Sequence, residues 1–398
     1  MTQDSPRIVT LVLCLADGRV LGATEPFEVP VPWWQDAASV VDAARHRLGV
    51  EVTVLRLLHA AGEAPAGGAV SYLAEVDAPV PGLLPYREPL ADHPLRLPYA
   101  RPGGPAADLA WADEALRSIG RARTSAATQV RTWNLSSLWR LPTAHGAAWL
   151  KVVPPFFAHE GAILRRLDPA VVPPLLAADG ARILLDEVRG HDLYDAPHAL
   201  QLLMIELLVG LQAQWLDRVP ELESLGLPDW RAGPFGRLVA EAFDRTADQL
   251  DPNTRRRCET LIGALPARFA DLAACGVPDT LVHGDFHTGN LVGDDNHITL
   301  LDWGDCGIGN PLLDRAAFAP RIATDRRPVV EQHWNRLWQA AVPGCDPARA
   351  GDLVAPIAAL RQAIVYDTFS VSIEPSERIY HAGDSARWLQ TAAELSPH

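Results

Sequence analysis

Short apolar runs separated by turn residues fill the first part of the chain, and longer stretches with apolar residues at helical spacing fill the second. Residues 7–20 (RIVTLVLCLADGRV) set apolar runs on either side of Asp17-Gly18, which predicts a β-hairpin. An amphipathic pattern from Trp33 to Leu48 predicts a helix, and VEVTVLRLLHA and AVSYLAEV then predict strands. From Pro79 to Pro105 the chain is dense in Pro and Gly and sustains neither helix nor central strand, so it reads as a linker or a wrapping loop. Beyond it the pattern predicts a helix over 107–120, strands over 129–140 and 147–153 with a turn at 143–146, a helix over 157–167 and a strand over 182–187. After Gly190 the period is mainly helical, over 199–217, 233–248, 253–275, 328–341 and 351–370, with one hairpin at 281–303 turning at Gly293-Asp294-Asp295-Asn296. The plan is α+β: a small α+β domain over 1–100, a β-rich lobe over 101–190 and a helical lobe over 191–398.

Composition narrows the classes. Hydrophobic residues make up 48% and charged residues 21%, the make-up of an ordinary globular chain. Acidic residues number 49 against 35 basic ones, and the formal charge of −14 disfavours nucleic acid and anionic membrane surfaces as partners. The five Cys are scattered, with no CxxC pair, so neither a disulfide framework nor a zinc ribbon is expected. Residues 1–10 (MTQDSPRIVT) lack the basic flank and apolar core of a signal peptide, and a cytoplasmic location is expected. The stretch from Ala199 to Leu216 carries Gln201, Glu206 and Gln212 and reads as a core helix, not a membrane span.

The chemistry concentrates in LVHGDFHTGNLVGDDNHITLLDWGDCGIGNPLLD, residues 281–314. The hairpin brings the loop before Asn290 beside the loop after Leu301, so that Asp285, Asn290 and Asp302 converge. Phosphoryl transfer needs a carboxylate to orient the attacking hydroxyl and accept its proton, with oxygen ligands for Mg²⁺ on the nucleotide phosphates. Asp285 suits the first task, and Asn290 and Asp302 the second. A lone His-Gly-Asp arises often by chance. Here the five-residue step from Asp285 to Asn290, the strand ending at Asp302, Gly309-x-Pro311 and Asp314 occur together.

This segment resembles the aminoglycoside phosphotransferase and choline kinase-like family, small-molecule kinases with the protein-kinase fold, over roughly residues 125–390. The resemblance implies a bilobal fold with a β-rich N-lobe and a mainly helical C-lobe. It makes Asp285 the catalytic base, with His283 bracing its loop, Asn290 and Asp302 the Mg²⁺ ligands and Asp314 a structural anchor. The family's strand lysine and helical glutamate fall on Lys151 and Glu160. Lys151 taken alone is equally an edge-strand lysine kept for solubility. No GxGxxG loop precedes it; instead Asn134-Leu135-Ser136-Ser137 forms the first hairpin turn, where Ser136 and Ser137 either cradle phosphate or are ordinary turn residues. Glu187 and Val188, with Asp186, sit where the family's interlobe hinge receives the adenine. Asp192, Asp195, Asp305, Asp367 and Glu374 are available to line an acceptor pocket, Asp305 foremost, and would attract a cation.

Residues 1–100 lie outside this resemblance and are similar to a Nudix fold. The positions of that family's metal-binding acidic cluster hold Ala43, His46 and Arg47, so a docking or lid module is implied rather than a hydrolase; its protein partner is not defined by the sequence. The expected activity is transfer of the γ-phosphate of ATP, with GTP equally compatible, to a hydroxyl of a small cationic acceptor such as an aminoglycoside or other basic antibiotic, in resistance or self-protection. Two alternatives stand beside it: a metabolite kinase for a sugar or amino alcohol, and a nucleotide-binding pseudokinase with a regulatory role. Retention of Lys151, Asp285, Asn290 and Asp302 together argues against the last.

Overall fold

The computed structural model describes residues 6–61, 65–294 and 297–396. Residues 1–5, half of the segment read against a signal peptide, and Asp295 and Asn296 of the expected 293–296 turn lie outside the described residues. Two compact units emerge. The first takes its described residues from Met1–Gly161, Leu175–Glu187 and Ser370–Ala382, the second from Ala162–Pro174, Val188–Phe369 and Gly383–His398.

The first unit holds two five-stranded sheets. In one, Arg7–Cys14 lies between Val20–Ala23 and Gly68–Glu75, running antiparallel to the former and parallel to the latter; Thr53–Ala61 adds at the far side and Phe27–Val29 also pairs with the first strand. The helix Ala38–Leu48 buries Val40, Val41 and Ala44 against this sheet with Val9, Leu11, Leu57 and Tyr72, and Gly49 ends it in the left-handed region at φ 68°. The helix begins five residues later than its pattern predicts. Fully buried Arg7 donates to the carbonyls of Trp33 at 2.6 Å and Asp36 at 3.0 Å, which ties that stretch to the strand instead of to a helical turn.

The second sheet is antiparallel throughout, in the order Thr128–Trp133, Ser136–Thr143, Gly146–Val152, Arg182–Asp186, Leu175–Asp179. The helix Gly104–Ser118 packs Ala112 and Leu116 with Trp139, Leu141, Leu150 and Leu184. Its first hairpin turns on Asn134-Leu135 alone, because Trp133 pairs with Ser136. Ser136 and Ser137, expected in that turn, are therefore the first residues of a strand. The helix expected over 157–167 shrinks to Glu160–Leu164, preceded by a 3₁₀ turn at Pro155–Phe157, since Pro154 and Pro155 cannot continue a helix backwards.

Of the two readings of the Pro-rich stretch, wrapping is the observed one. Leu84 pairs with Ala23, and Tyr86 and Leu90 pack on Val12, Cys14, Leu55 and Leu73, the sheet face opposite the helix. The segment 370–382 completes the unit: its 3₁₀ helix Pro375–His381 sets Tyr380 edge-on to Trp34 and Trp133, with centroids 5.8 and 5.6 Å apart.

The second unit is mainly helical, with His198–Ala213, Ala232–Thr246, Pro252–Ala274, Arg327–Ala341, Pro347–Ser372 and Asp384–Leu395 as its long helices. Two small sheets are embedded in it. One joins His191–Asp192, Leu291–Gly293 and Ile298–Leu300; the other pairs Thr280–Val282 with Gly307–Gly309. Trp215, Trp303, Trp334, Trp338, Phe286 and Phe318 are fully buried around them. All five cysteines are buried. Among the described residues no single helix is long and apolar enough to cross a membrane.

Candidate active site

The hairpin of the helical unit places its chemistry at the ends of two short strands. Leu291 pairs with Leu300, and the Leu301 N–H donates to the Asn290 carbonyl at 2.8 Å, so Asn290 and Asp302 leave the ladder side by side. Asn290 Nδ2 donates to the Asp285 carbonyl at 2.9 Å and to Asp285 Oδ2 at 3.0 Å, which fixes the carboxylate. With the amide nitrogen so engaged, Asn290 Oδ1 is the atom left for a ligand. Asp302 has φ 61° and ψ 69° and is the one non-glycine residue with positive φ among the described residues. Such a conformation costs of order 1–3 kcal/mol and is held only where the surroundings impose it.

Main-chain groups behind the loop are clamped from two sides. Fully buried Asp314 receives the His283 N–H at 2.8 Å, the Gly284 N–H at 2.7 Å and Gln212 Nε2 at 2.8 Å. Burial pushes its carboxyl up to about 6 even against these donors. Buried Arg361 donates to the Gly284 carbonyl at 2.8 Å and the Asp305 carbonyl at 2.7 Å, its guanidinium lying 4.8 Å from the centre of the Trp230 ring. Gly284, at φ 88°, admits no side chain: a Cβ there would strike the Asp305 carbonyl and Arg361.

His283 is fully buried, 4.7 Å from the Trp303 ring. Its Nε2 bonds the Leu301 carbonyl at 2.9 Å and its Nδ1 receives the Asp285 N–H at 3.3 Å, so the ring is neutral with the proton on Nε2. Burial lowers its pKa to about 4. It thus braces both strand ends of the hairpin. Burial would raise the Asp285 pKa, but His287 Nε2 at 3.4 Å from Oδ2 and Arg321 Nη1 at 3.5 Å from Oδ1 outweigh it and hold the carboxyl below its ordinary value.

His287, Arg321 and Arg361 were not anticipated. His287 stands two residues past Asp285 inside the motif and could have been flagged by proximity; Arg321 and Arg361 are 36 and 77 residues away from the groups they touch, with no local signal. Arg321 also lines a cavity of about 270 Å³ in this unit with Tyr194, Asp195, Gln201 and Thr288. Of the expected acceptor carboxylates, Asp195 lies there. Asp192 is exposed, with Oδ1 receiving the Tyr194 N–H at 2.6 Å, and Asp305 is half-buried. Two expectations need correction. Asp367 is buried and held by Arg245 at 2.6 Å, and Glu374 belongs to the β-rich unit, where Arg96 binds it at 2.8 Å, so neither carboxylate is available to an acceptor here.

In the β-rich unit, Lys151 and Glu160 meet: Lys151 Nζ is 2.8 Å from Glu160 Oε1, and Glu160 is buried at the start of its helix. Lys151 pairs in register with Leu138 and Ile183, which makes its strand central and removes the edge-strand explanation. Ser136 and Ser137 are buried and their hydroxyls receive the indole N–H groups of Trp133 at 3.2 Å and Trp139 at 3.0 Å. Glu187 is exposed and accepts the Ala147 N–H at 2.8 Å, while Val188 belongs to the helical unit. Among the described residues no cluster of three or more His, Cys, Asp or Glu could hold a metal by itself. The oxygens of Asn290 and Asp302 nevertheless suit Mg²⁺, which takes one or two protein ligands and completes its shell with water and substrate phosphates.

The model of the phosphotransferase enzyme family matches residues 127–350. Among solved structures, a Ralstonia eutropha protein classed with the aminoglycoside phosphotransferases is 17% identical, with 73% of this chain and 97% of that one covered and a TM-score of 0.52. A macrolide 2′-phosphotransferase of Brachybacterium faecium is 18% identical over 70% of this chain and 97% of that one, with a TM-score of 0.49. The ethanolamine kinase of Plasmodium vivax is 12% identical over 65% and 77%, with a TM-score of 0.48. No curated protein sequence matches the chain.

Proposed function

Because the chain belongs to the phosphotransferase enzyme family, whose model spans more than half of it, and is a kinase of α+β, protein-kinase-like fold, we propose that it transfers the γ-phosphate of ATP to a hydroxyl of a small, amino-bearing molecule. The observation that carries this is the state of Asp285: an ionised carboxylate fixed by Asn290 on a loop clamped by Asp314 and Arg361. It orients the acceptor hydroxyl and takes its proton as the new oxygen–phosphorus bond forms and the bond to the bridging oxygen of the leaving diphosphate breaks. His283 keeps the loop in place and takes no part in the proton transfer.

Lys151, oriented by Glu160, holds the α- and β-phosphates, and the Glu187–Val188 backbone receives the adenine. Asn290 and Asp302 hold Mg²⁺, which when bound neutralises charge on the phosphates. Ser136 and Ser137 contribute by placing the Asn134-Leu135 turn, since their hydroxyls are engaged with tryptophans. Asp195 is the carboxylate best placed to draw an amino group into the 270 Å³ cavity, with Asp192 and Asp305 in reserve. That volume also favours a second reading, a kinase for an amino alcohol or sugar, because a multi-ring antibiotic would project well beyond it.

The test is mass spectrometry of small molecules after incubation with Mg-ATP and a panel of aminoglycosides, other basic antibiotics, choline and sugars, with Asp285→Asn as control. A phosphate adduct on an antibiotic, absent in the control, assigns resistance or self-protection. An adduct on a primary metabolite assigns the second reading, and nucleotide binding with no adduct from any acceptor would count against catalysis.

A further inference from the structure

The wrapping of the Pro-rich stretch over the open sheet face leaves a cavity of about 490 Å³ inside the β-rich unit, within the range of small-molecule sites. Arg56, on the edge strand Thr53–Ala61, forms its floor with Arg96 and Glu374; His59, Ser71 and Tyr86 stand on its walls. Arg56 is 3% exposed. Its Nη1 donates to the Ala100 carbonyl at 3.0 Å, but its Nε has no hydrogen-bond acceptor among the described residues.

The nearest carboxylate does not relieve it. Both Glu374 oxygens are taken by Arg96, through Nε at 3.2 and 3.1 Å and Nη2 at 2.8 Å, and Arg56 Nε stands 3.7 Å from Oε1. Two guanidinium groups thus share the one buried carboxylate of the floor, and Arg96 holds it more closely than Arg56 does. Burial, with the Glu374 charge, pushes the neighbouring Glu377 carboxyl up to about 8 and weakens its part in balancing them. Asp92 and Glu88 lie at the mouth, both exposed: Asp92 is paired with Arg96 and Arg101, and Glu88 Oε2 accepts from the Tyr86 hydroxyl at 3.5 Å. A buried guanidinium N–H with no acceptor is costly unless an anion meets it. Leu58, Pro89 and Leu90 supply apolar wall beside this charge.

We propose that this cavity is a second ligand site, which binds a small amphipathic anion by its phosphate or carboxylate group against Arg56, with the apolar body of the ligand on Leu58, Pro89 and Leu90. It is made wholly from the β-rich unit and is independent of the phosphotransfer chemistry assigned above.

Calorimetric titration of the full chain with phenyl phosphate, benzoate and benzyl alcohol tests it. Saturable binding of one or both anions is expected, and none of the alcohol. Phenyl phosphate alone would identify the phosphate as the group recognised, benzoate alone the carboxylate. Arg56→Met should weaken anion binding by at least about tenfold. Ser71→Phe, which fills the half-exposed wall and leaves Arg56 in place, should do the same and keeps the test decisive if Arg56→Met fails to fold. Absence of saturable binding of both anions, equal binding of benzyl alcohol, or unchanged affinity in Ser71→Phe would overturn the proposal.

Discussion

The Asp285 loop of the helical unit and the 370–382 segment of the β-rich unit both sink polar groups into apolar surroundings, and they use them in opposite ways. In the loop, buried Asp314, His283 and Arg361 spend their hydrogen bonds on main-chain atoms, so that Asp285 and Asp302, partly exposed, are presented in set positions. In the segment, polar atoms turn inward: Glu377 Oε1 receives the Leu57 N–H at 3.3 Å, the Glu377 carbonyl receives Asn134 Nδ2 at 3.0 Å, and His381 Nε2 bonds Asn134 Oδ1 at 3.1 Å. One network is a frame for reactive groups and the other is a fastener. Burial of a polar group therefore says little about function until the destination of its hydrogen bonds is known.

The largest effect separating the two should come from Asp285→Asn. It retains the shape that Asn290 holds but loses the negative charge, and turnover should fall by about 10²–10⁴-fold with the melting temperature nearly unchanged. Turnover within a few-fold of wild type would remove Asp285 from the chemistry.

Arg361→Ala breaks the frame itself. The Gly284 and Asp305 carbonyls lose their donors and Trp230 loses its cation, so a stability loss of about 2–4 kcal/mol is expected in denaturant unfolding, together with lower turnover. Unchanged stability would show that Asp314 suffices to hold the loop. A smaller change is expected for Lys151→Met, where Glu160 stays buried without its partner; nucleotide affinity in a calorimetric titration should drop about tenfold, and wild-type affinity would discard the phosphate-binding role.

The same contrast explains what the sequence disclosed. The hairpin was legible because its pieces are local: Asp285 and Asn290 are five residues apart, and the apolar runs that follow are read by strand period. Lys151 and Glu160 are nine residues apart, and their pairing, observed at 2.8 Å, was implied by the family resemblance laid onto a strand followed by a helix. Arg361 on Gly284 and Arg321 on Asp285 were not, because nothing local marks an arginine whose partners are a carbonyl or a carboxylate tens of residues away. Glu374 shows the converse error: read as available to line an acceptor pocket, it is 4% exposed and bound to Arg96, 278 residues earlier. Helix starts failed where a distant side chain claimed the backbone, as Arg7 does at Trp33 and Asp36.

The smallest effect, and the finest test of the comparison, is a pH dependence. Burial, with the neighbouring Glu374 charge, raises Glu377 from 4.5 to about 8, and burial raises Asp314 from 3.8 to about 6. A raised carboxyl binds its proton more tightly in the folded chain than in the unfolded one. Each group's stabilisation is therefore complete below its unfolded pKa and is lost as pH rises toward its folded value. For Asp314 the loss runs from about pH 4 to about pH 6, and for Glu377 from about pH 4.5 to about pH 8, so between pH 6 and 8 the fastener alone contributes. Glu377→Gln mimics the protonated group without its titration. Melting curves from pH 6 to 8 should fall for the wild type and flatten in this variant, while the change below pH 6 that belongs to Asp314 persists in both. Parallel curves for the two proteins across pH 6–8 would show that Glu377 is already ionised in the folded state.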